Sequence, residues 1–436
     1  MVTGRNILIL TWTVATQDIE EDEELFAVSR NLVLTTATTD YLPALSLPNP
    51  DTWLPLIIVT VQQLLNKGSS KWHPYFQVLP PKFDTLMYWT ETELAELQAS
   101  AVTRRIGKAS ADKSFREEAW DFMMADLEFF DVEGEEEAEW EEHAVHMCHY
   151  AGSLIMAYAF DIDRDEADAQ PNGNMADIED LQSDDEENPL KGLVPFADML
   201  NADGDRNNAR LFQEGSHLIM KAIKPIKAGE ECFNDYGPLP RSELLRMYGY
   251  VTDNYKQYDV VEFEHDLLEN VAGNKAKSKE WQKKKEQLDE IGVLDDGYNF
   301  PCPEPNDDLE AVLPGELHMV IRGLCSNPQV QKKAPITIEE AALLSTIVTK
   351  KLSEYPTSLE EDQTLLATSL ASSNAPEGVS QRRYHMAIEV RTGEKEILHQ
   401  ILELCQTHIE RLTSEKKRKP DDAKKSRTNK NKKTKR

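Results

Sequence analysis

The sequence predicts an α+β fold: a β-rich first half, a helical second half and a basic tail. Three observations carry that reading. Between Leu211 and Ile226 the apolar residues fall in short runs broken by turn-forming residues, the pattern of strands joined by tight turns. Between Thr337 and Leu412 they recur at helical spacing instead, which argues amphipathic helices. From Lys416 to Arg436 there are 12 basic residues, 2 acidic ones and almost nothing apolar, so this stretch should not fold on its own.

Composition bounds the function. A chain of 436 residues is long enough for two ordinary hydrophobic cores, and two domains are expected. No apolar run approaches a membrane span, and Met1 to Thr13 lacks the charge pattern and cleavage site of a signal peptide. The five cysteines (Cys148, Cys232, Cys302, Cys325, Cys405) are scattered and form no Cys-x-x-Cys pair, which suits reduced thiols in the cytosol or nucleus. Net charge is −30, and the tail contributes +10, which leaves −40 on the body. Such a body is a poor nucleic-acid binder and an attractor of basic proteins.

In chain order, the first clear element is a helix between Glu135 and Phe160, with Val145, Cys148, Leu154, Ile155 and Tyr158 among its apolar positions. Residues 161–190 follow, with 12 acids and a Pro171-Asn172-Gly173-Asn174 segment. They read as a long acidic surface loop, either a solvated insertion or a lure for a basic substrate. In the β-patterned run, Leu211, Leu218, Ile219, Met220, Ile223 and Ile226 lie between turn signals at Glu214-Gly215-Ser216 and Lys227-Ala228-Gly229-Glu230. Pro225 has no amide proton for a ladder and belongs at a strand end or edge. Ser242 to Tyr248 reads as a short helix, with Ser242 as N-cap and Gly249 as the stop. The helical block opens with Thr337 to Leu352 and breaks at Tyr355-Pro356-Thr357. It resumes behind a Ser358-Leu359-Glu360-Glu361 capping box and continues from Arg382 to Leu412. The tail looks like a nuclear localisation signal, with a merely solubilising tail as the plainer reading.

Two polar clusters, Asp198-Met199-Leu200-Asn201 and Asn234-Asp235-Tyr236-Gly237, bracket the β-patterned run. The pairing resembles the carboxyl half of a SET domain, the fold of many protein-lysine methyltransferases. Asp18 to Arg30 with Leu32-Val33-Leu34 resembles that family's opening strands. Ser69-Ser70-Lys71-Trp72-His73-Pro74-Tyr75-Phe76, Val78-Leu79-Pro80 and Met87-Tyr88-Trp89 are similar to its helical insertion. Tyr355 to Asp362 and Met386 to Lys395 resemble the substrate-binding helical domain of Rubisco large-subunit methyltransferases. The likeness runs from about residue 13 to about residue 412. Within the family, Met156-Ala157-Tyr158 resembles both the fungal branch that acts on ribosomal lysines and the branch of SET domain-containing protein 6, and Asn201-Ala202 resembles the former.

The resemblance implies a β-rich SET domain over residues 1–237, with a helical insertion at about 42–160 and the acidic loop at 161–190. It further implies an all-α substrate-binding domain over 238–414, with a disordered basic tail at 415–436. It implies S-adenosyl-L-methionine as cofactor and a lysine of a basic protein, a 60S ribosomal protein above all, as substrate. Tyr236 matches the active-site tyrosine, whose role is orientation and electrostatic stabilisation near the transferring methyl group. Asn201, Ala202 and Tyr236 match cofactor-binding positions, and Ala202 stands where most relatives carry histidine, so only backbone contact survives there. Trp72, Tyr158, Asp198 and Tyr248 match substrate-channel positions, although each could equally be core packing. No membrane and no specific nucleic acid is implied as partner. The tail suggests an importin, and a nuclear location with the cytoplasm as a second compartment.

Two other patterns suggest metals and fail on spacing. Asp203-x-Asp205-x-Asn207 with Glu214 mimics a calcium loop, but Asn208 replaces the turn glycine and strands flank it. His143, His146 and His149 fan around a helix rather than converge. No metal is expected. One departure from the family pattern matters more. Relatives place a Gly-x-Gly turn directly before Val-Ala-Thr-x-Asp-Ile, because glycine lets backbone approach the cofactor. Here Gly4-Arg5 is separated from Thr13-Val14-Ala15-Thr16 by Asn6 to Trp12, and the second glycine is missing. The expectation is a misplaced start or splice junction, with an intact loop in the native protein. Two function classes therefore stand: a working lysine methyltransferase acting on a ribosomal or a non-ribosomal nuclear protein, or an adaptor that keeps peptide binding and has lost the cofactor.

Overall fold

In the computed structural model the described residues are 13–39, 53–66, 68–125, 130, 137–163, 189–325, 334–369 and 375–430, with side chains to 416. They divide into two compact units. The first comprises Met1–Tyr88, Ile106–Pro238 and Arg246–Gly249, and the second Trp89–Arg105, Leu239–Leu245 and Tyr250–Arg436. The Gly4-Arg5 segment, most of the acidic loop and the last six residues lie outside the described residues.

The first unit is built on a three-stranded antiparallel sheet of β1 (Glu24–Ser29), β4 (Ala209–Glu214) and β5 (His217–Ala222), in the order β1-β5-β4. The two runs expected as strands are β4 and β5, and the turn between them carries Gly215 at φ 54°. A positive φ there costs glycine little, so two residues suffice to reverse the chain. Register pairs Val28 with Leu218, and Leu211 with Met220. Because successive side chains alternate across a sheet, Leu218, Met220 and Ala222 all fall on the buried face. They pack with Val28, Val194, Leu200 and Ile226 into the first core. Pro225 lies just beyond β5, where no ladder bond is lost.

A second antiparallel pair joins β2 (Ala159–Ile162) to β3 (Leu190–Leu193), the two strands that flank the acidic run. Gly192 is required there by packing. A Cβ on it would lie 2.8 Å from side-chain atoms of both Val33 and Thr35. The insertion is helical, and its two long helices are Leu54–Leu65 and Glu137–Tyr158. Leu54–Leu65 is apolar almost all round and buried from Leu54 to Gln62, as a helix with no polar face must be. It packs Ile57 and Val61 against Trp140, Cys148 and Ile155 of the longer helix. That helix stops at Tyr158 rather than Phe160, because Ala159 and Phe160 enter the β2 ladder.

The second unit is helical, as expected, with one addition. Strands β6 (Val260–Glu264) and β7 (Gly297–Pro301) form an antiparallel pair. Their alternation buries Val261, Phe263, Tyr298 and Phe300 in the unit's core and leaves the residues between them less buried. The helix over Ile338–Leu352 starts at a capping box between Thr337 and Glu340. The expected box at Ser358 and Glu361 is also formed, at 3.2 and 2.7 Å. The short helix over Arg241–Tyr248 differs in detail. Ser242 lies inside it, and the carbonyl of Pro240 takes the amides of Glu243 and Leu244. The amide of Arg241 is capped instead by Asp259, at 2.9 Å.

Trp89–Arg105, expected within the first domain's insertion, belongs to the second unit. Glu93 there pairs with Arg383 at 2.6 Å, Arg391 donates to Glu96, and Ser100 donates to Glu394 at 2.6 Å. The last helix runs from Gln381 to Lys430 as one element.

Candidate functional site

The site is built where β2, the Glu137–Tyr158 helix, the Asp198 turn and the Asn234–Tyr236 and Met247–Tyr248 stretches of the first unit meet. A cleft of about 350 Å³ is lined there by Trp53, Tyr158, Asp198, Asn234, Tyr236 and Tyr248, among others. Tyr236 and Tyr248 stack face to face, with centroids 4.4 Å apart and planes 8° from parallel. The Tyr236 hydroxyl donates to the carbonyl of Leu200 at 3.4 Å. Gly249 permits the helix carrying Tyr248 to stop there. Its φ is 75°, and an added Cβ would sit 2.7 Å from the backbone carbon of Asp84. Only glycine tolerates both conditions.

Asp198 sits on a single 3-10 turn, Ala197–Met199. The turn follows Phe196, whose φ of 75° is uncommon for a residue with a side chain. Asp198 is 8% exposed. One carboxylate oxygen accepts the hydroxyl of buried Tyr75, and the other, Oδ1, is buried with no hydrogen-bond partner among the described residues. Burial pushes the Asp198 carboxyl up to about 7, against the opposing effect of Tyr75 and of its own backbone amide. Burial also pushes the hydroxyls of Tyr158 and Tyr248 up to about 12, so both stay protonated at neutral pH.

Of the residues singled out in the sequence, Tyr158, Asp198, Tyr236 and Tyr248 therefore line one cleft. Asn201 and Ala202 are not in that lining. They tie the two polar clusters together: the carbonyl of Asn201 accepts the amide of Asn234 at 2.8 Å, and Ala202 forms a parallel bridge with Asn234. The Asn201 side chain donates to Glu231 at 2.7 Å. The described chain enters beside this junction, where the Thr13 hydroxyl donates to the carbonyl of Met199 at 3.2 Å. Trp72 is a correction. Its indole N–H donates to the carbonyl of Leu32 at 2.7 Å, and its ring packs with Leu34, Val59 and Leu154 in a buried core. A tryptophan with its one donor satisfied and its ring enclosed supports the cleft from behind and does not line it.

Sequence reasoning passed over three residues. Tyr75 lay within the quoted Ser69–Phe76 run, but its partner is 123 residues away, and such pairing leaves no local signal. Trp53 stands alone ahead of an apolar helix and had none either. Asn234 was quoted only as part of its cluster. The metal-like patterns resolve as local bonding. Asp203 caps the amides of Asp205 and Arg206 at 3.1 and 2.9 Å. His149 meets Asp112 at 2.5 Å, while His143 stands edge-on to Trp140. Among the described residues no three His, Cys, Asp or Glu side chains converge as metal ligands. Among them, too, no helix is long and apolar enough to cross a membrane.

These features are matched in known proteins. The SET-domain family model matches residues 12–237, and the model for the Rubisco LSMT substrate-binding domain matches residues 277–398. The chain belongs to the SET-domain family, in the form that carries the Rubisco LSMT substrate-binding domain behind the SET domain. It is similar to ribosomal lysine N-methyltransferase 4 of Saccharomyces cerevisiae, 34% identical over 274 residues. That alignment spans 59% of this chain and about half (52%) of the yeast protein. It is also similar to N-lysine methyltransferase SETD6 of Homo sapiens, 25% identical across 90% of this chain and 83% of that protein. The solved structure of Rubisco LSMT bound to AdoMet superposes with a TM-score of 0.64 over 93% of this chain and 87% of that one, at 18% identity. That likeness shows the shared fold.

Proposed function

We propose that this chain is an S-adenosylmethionine-dependent protein-lysine methyltransferase whose acceptor lysine lies in a basic protein, a 60S ribosomal protein being the leading candidate. One observation carries the reading. Four residues drawn from separate stretches of sequence, Tyr158, Asp198, Tyr236 and Tyr248, line a single aromatic cleft with one buried acid. Membership of the SET family and the names of the yeast and human relatives support the reaction class. The yeast relative's name supports the ribosomal substrate, and so does the −40 carried by the body of the chain.

The chemistry sets what the residues must do. A lysine has a pKa of about 10.4 in water, so fewer than about one in a thousand is neutral at pH 7. The aromatic walls lower the local dielectric and disfavour the ammonium form, while their width fixes the line of approach. S-adenosylmethionine, when bound, supplies the electrophilic methyl group on a cationic sulfonium. The site suits such a cation, since it offers aromatic faces. Asn201, the backbone of Ala202 and Tyr236 are the residues that would hold the cofactor. Tyr236, whose hydroxyl is held by the Leu200 carbonyl, orients the reacting groups. Neither Tyr158 nor Tyr248 serves as a base, because burial keeps both protonated.

The basic tail is the support for an importin and a nuclear location, with the cytoplasm second. Incubating the protein with labelled S-adenosylmethionine and fractionated ribosomal proteins, read by mass spectrometry, tests the reading. Methylation of a lysine in a small basic protein is expected. The interrupted Gly4-Arg5 segment favours one alternative, an adaptor that binds basic peptides without turnover. Calorimetry showing that the folded protein does not bind S-adenosylmethionine would establish the adaptor instead.

A further inference from the structure

We propose that Tyr75 is a positioning residue of the transfer site, one that holds Asp198 by one oxygen and leaves Oδ1 to receive the ammonium of the incoming lysine. The inference rests on the reading of the cleft as a lysine channel. Tyr75 is buried, lies on the short His73–Phe76 helix and does not line the cleft. Its hydroxyl donates to Asp198. Burial, reinforced by the Asp198 charge, raises the Tyr75 pKa well above its usual value, so it remains a donor at any working pH. Asp198 itself lines the cleft, and Oδ1 is left without a partner. A buried acceptor with no donor is costly, and a ligand that completes it is one explanation for keeping it.

The surroundings isolate the pair. Tyr150 and Tyr158 face it from the Glu137–Tyr158 helix, and Tyr236 and Tyr248 line the same cleft. Lys191, the one lysine among the described lining residues, is held by Asp161 at 2.6 Å. Asp235 accepts the amide of Gly237 at 2.7 Å. Among the described residues, Tyr75 is thus the one side chain whose hydrogen bond favours the ionised form of Asp198. When the ammonium arrives, an N–H bond breaks and an O–H bond forms at Oδ1. The electron pair stays on nitrogen, and the amine becomes nucleophilic. Tyr75 sets how readily that proton moves.

The test pairs Tyr75→Phe, which keeps the ring, with Asp198→Asn. With a methylated peptide as readout, Tyr75→Phe should raise KM about tenfold. It should also move the acidic limb of kcat/KM upward by about one pH unit, the worth of one hydrogen bond to a charged group. In the Asp198→Asn background it should add less than about twofold. An unmoved limb, or an equal effect in both backgrounds, would overturn the proposal. Infrared difference spectra of wild type against Asp198→Asn read the pair without turnover. A carboxylic-acid band that titrates near neutral pH is expected, and one that titrates near 4 would sink the idea. If the wild type shows that band and methylates nothing, the methyltransferase reading fails and the account of the pair stands.

Discussion

At the scale of single residues, the cleft couples orientation to ionisation. Tyr236 is stacked on Tyr248 and bonded to a backbone carbonyl, so its hydroxyl is placed before any substrate arrives. Such preorganisation is worth most where charge shifts in a dry site. Tyr236→Phe should therefore cut kcat by about 10²-fold while circular dichroism and melting temperature stay at wild-type values. Unchanged turnover would remove Tyr236 from the site. Trp72 shows the opposite case, an aromatic residue whose satisfied indole and enclosed ring make it structural. Trp72→Ala should lower stability by about 3–5 kcal/mol, seen as a lower denaturant midpoint for the whole first unit.

At the scale of elements, two devices fix where helices begin and end. Gly249 stops the helix that delivers Tyr248. Gly249→Ala should cost more than about 1 kcal/mol and raise KM as Tyr248 shifts, checked by melting and steady-state kinetics together. In the second unit the last helix carries Arg391, Glu394 and Lys395 into a buried network. Arg391 and Lys395 share Asp362, at 2.9 and 2.5 Å. Glu394 accepts Ser100 at 2.6 Å and Tyr355 at 2.8 Å, and burial pushes its carboxyl up to about 7. A carboxyl whose pKa is higher when folded stabilises the fold fully below its unfolded pKa of about 4.3. That contribution, of order 3 kcal/mol, is lost as pH rises through about 7. The melting temperature of the full chain should therefore fall between pH 5 and 8, and Glu394→Gln should flatten the fall.

At the scale of the molecule, charge is the organising quantity. The chain carries −30 overall, with a tail of opposite sign. A field of that size speeds the approach of basic partners and is screened within about 10 Å at 0.1 M salt. Between 50 and 300 mM salt, KM for a basic protein substrate should rise about tenfold while kcat holds, as initial-rate measurements would show. Equal KM at both salts would mean that the acidic body plays no part in capture.

The strands and turn of the β4–β5 hairpin, the capped helices of the second unit and the family are legible in the sequence. Each is written locally, in period, turn chemistry or motif. Only the tertiary structure decided that Tyr158, Asp198, Tyr236 and Tyr248 share a cleft, that Trp72 does not, and that Trp89–Arg105 belongs with the second unit. The β6–β7 pair was missed because each strand is only five residues long, too short for its alternation to outweigh the helices around it. Tyr75 was missed for a related reason. Its meaning lies in an unsatisfied carboxylate 123 residues away, and burial at that distance is a property of the packed chain.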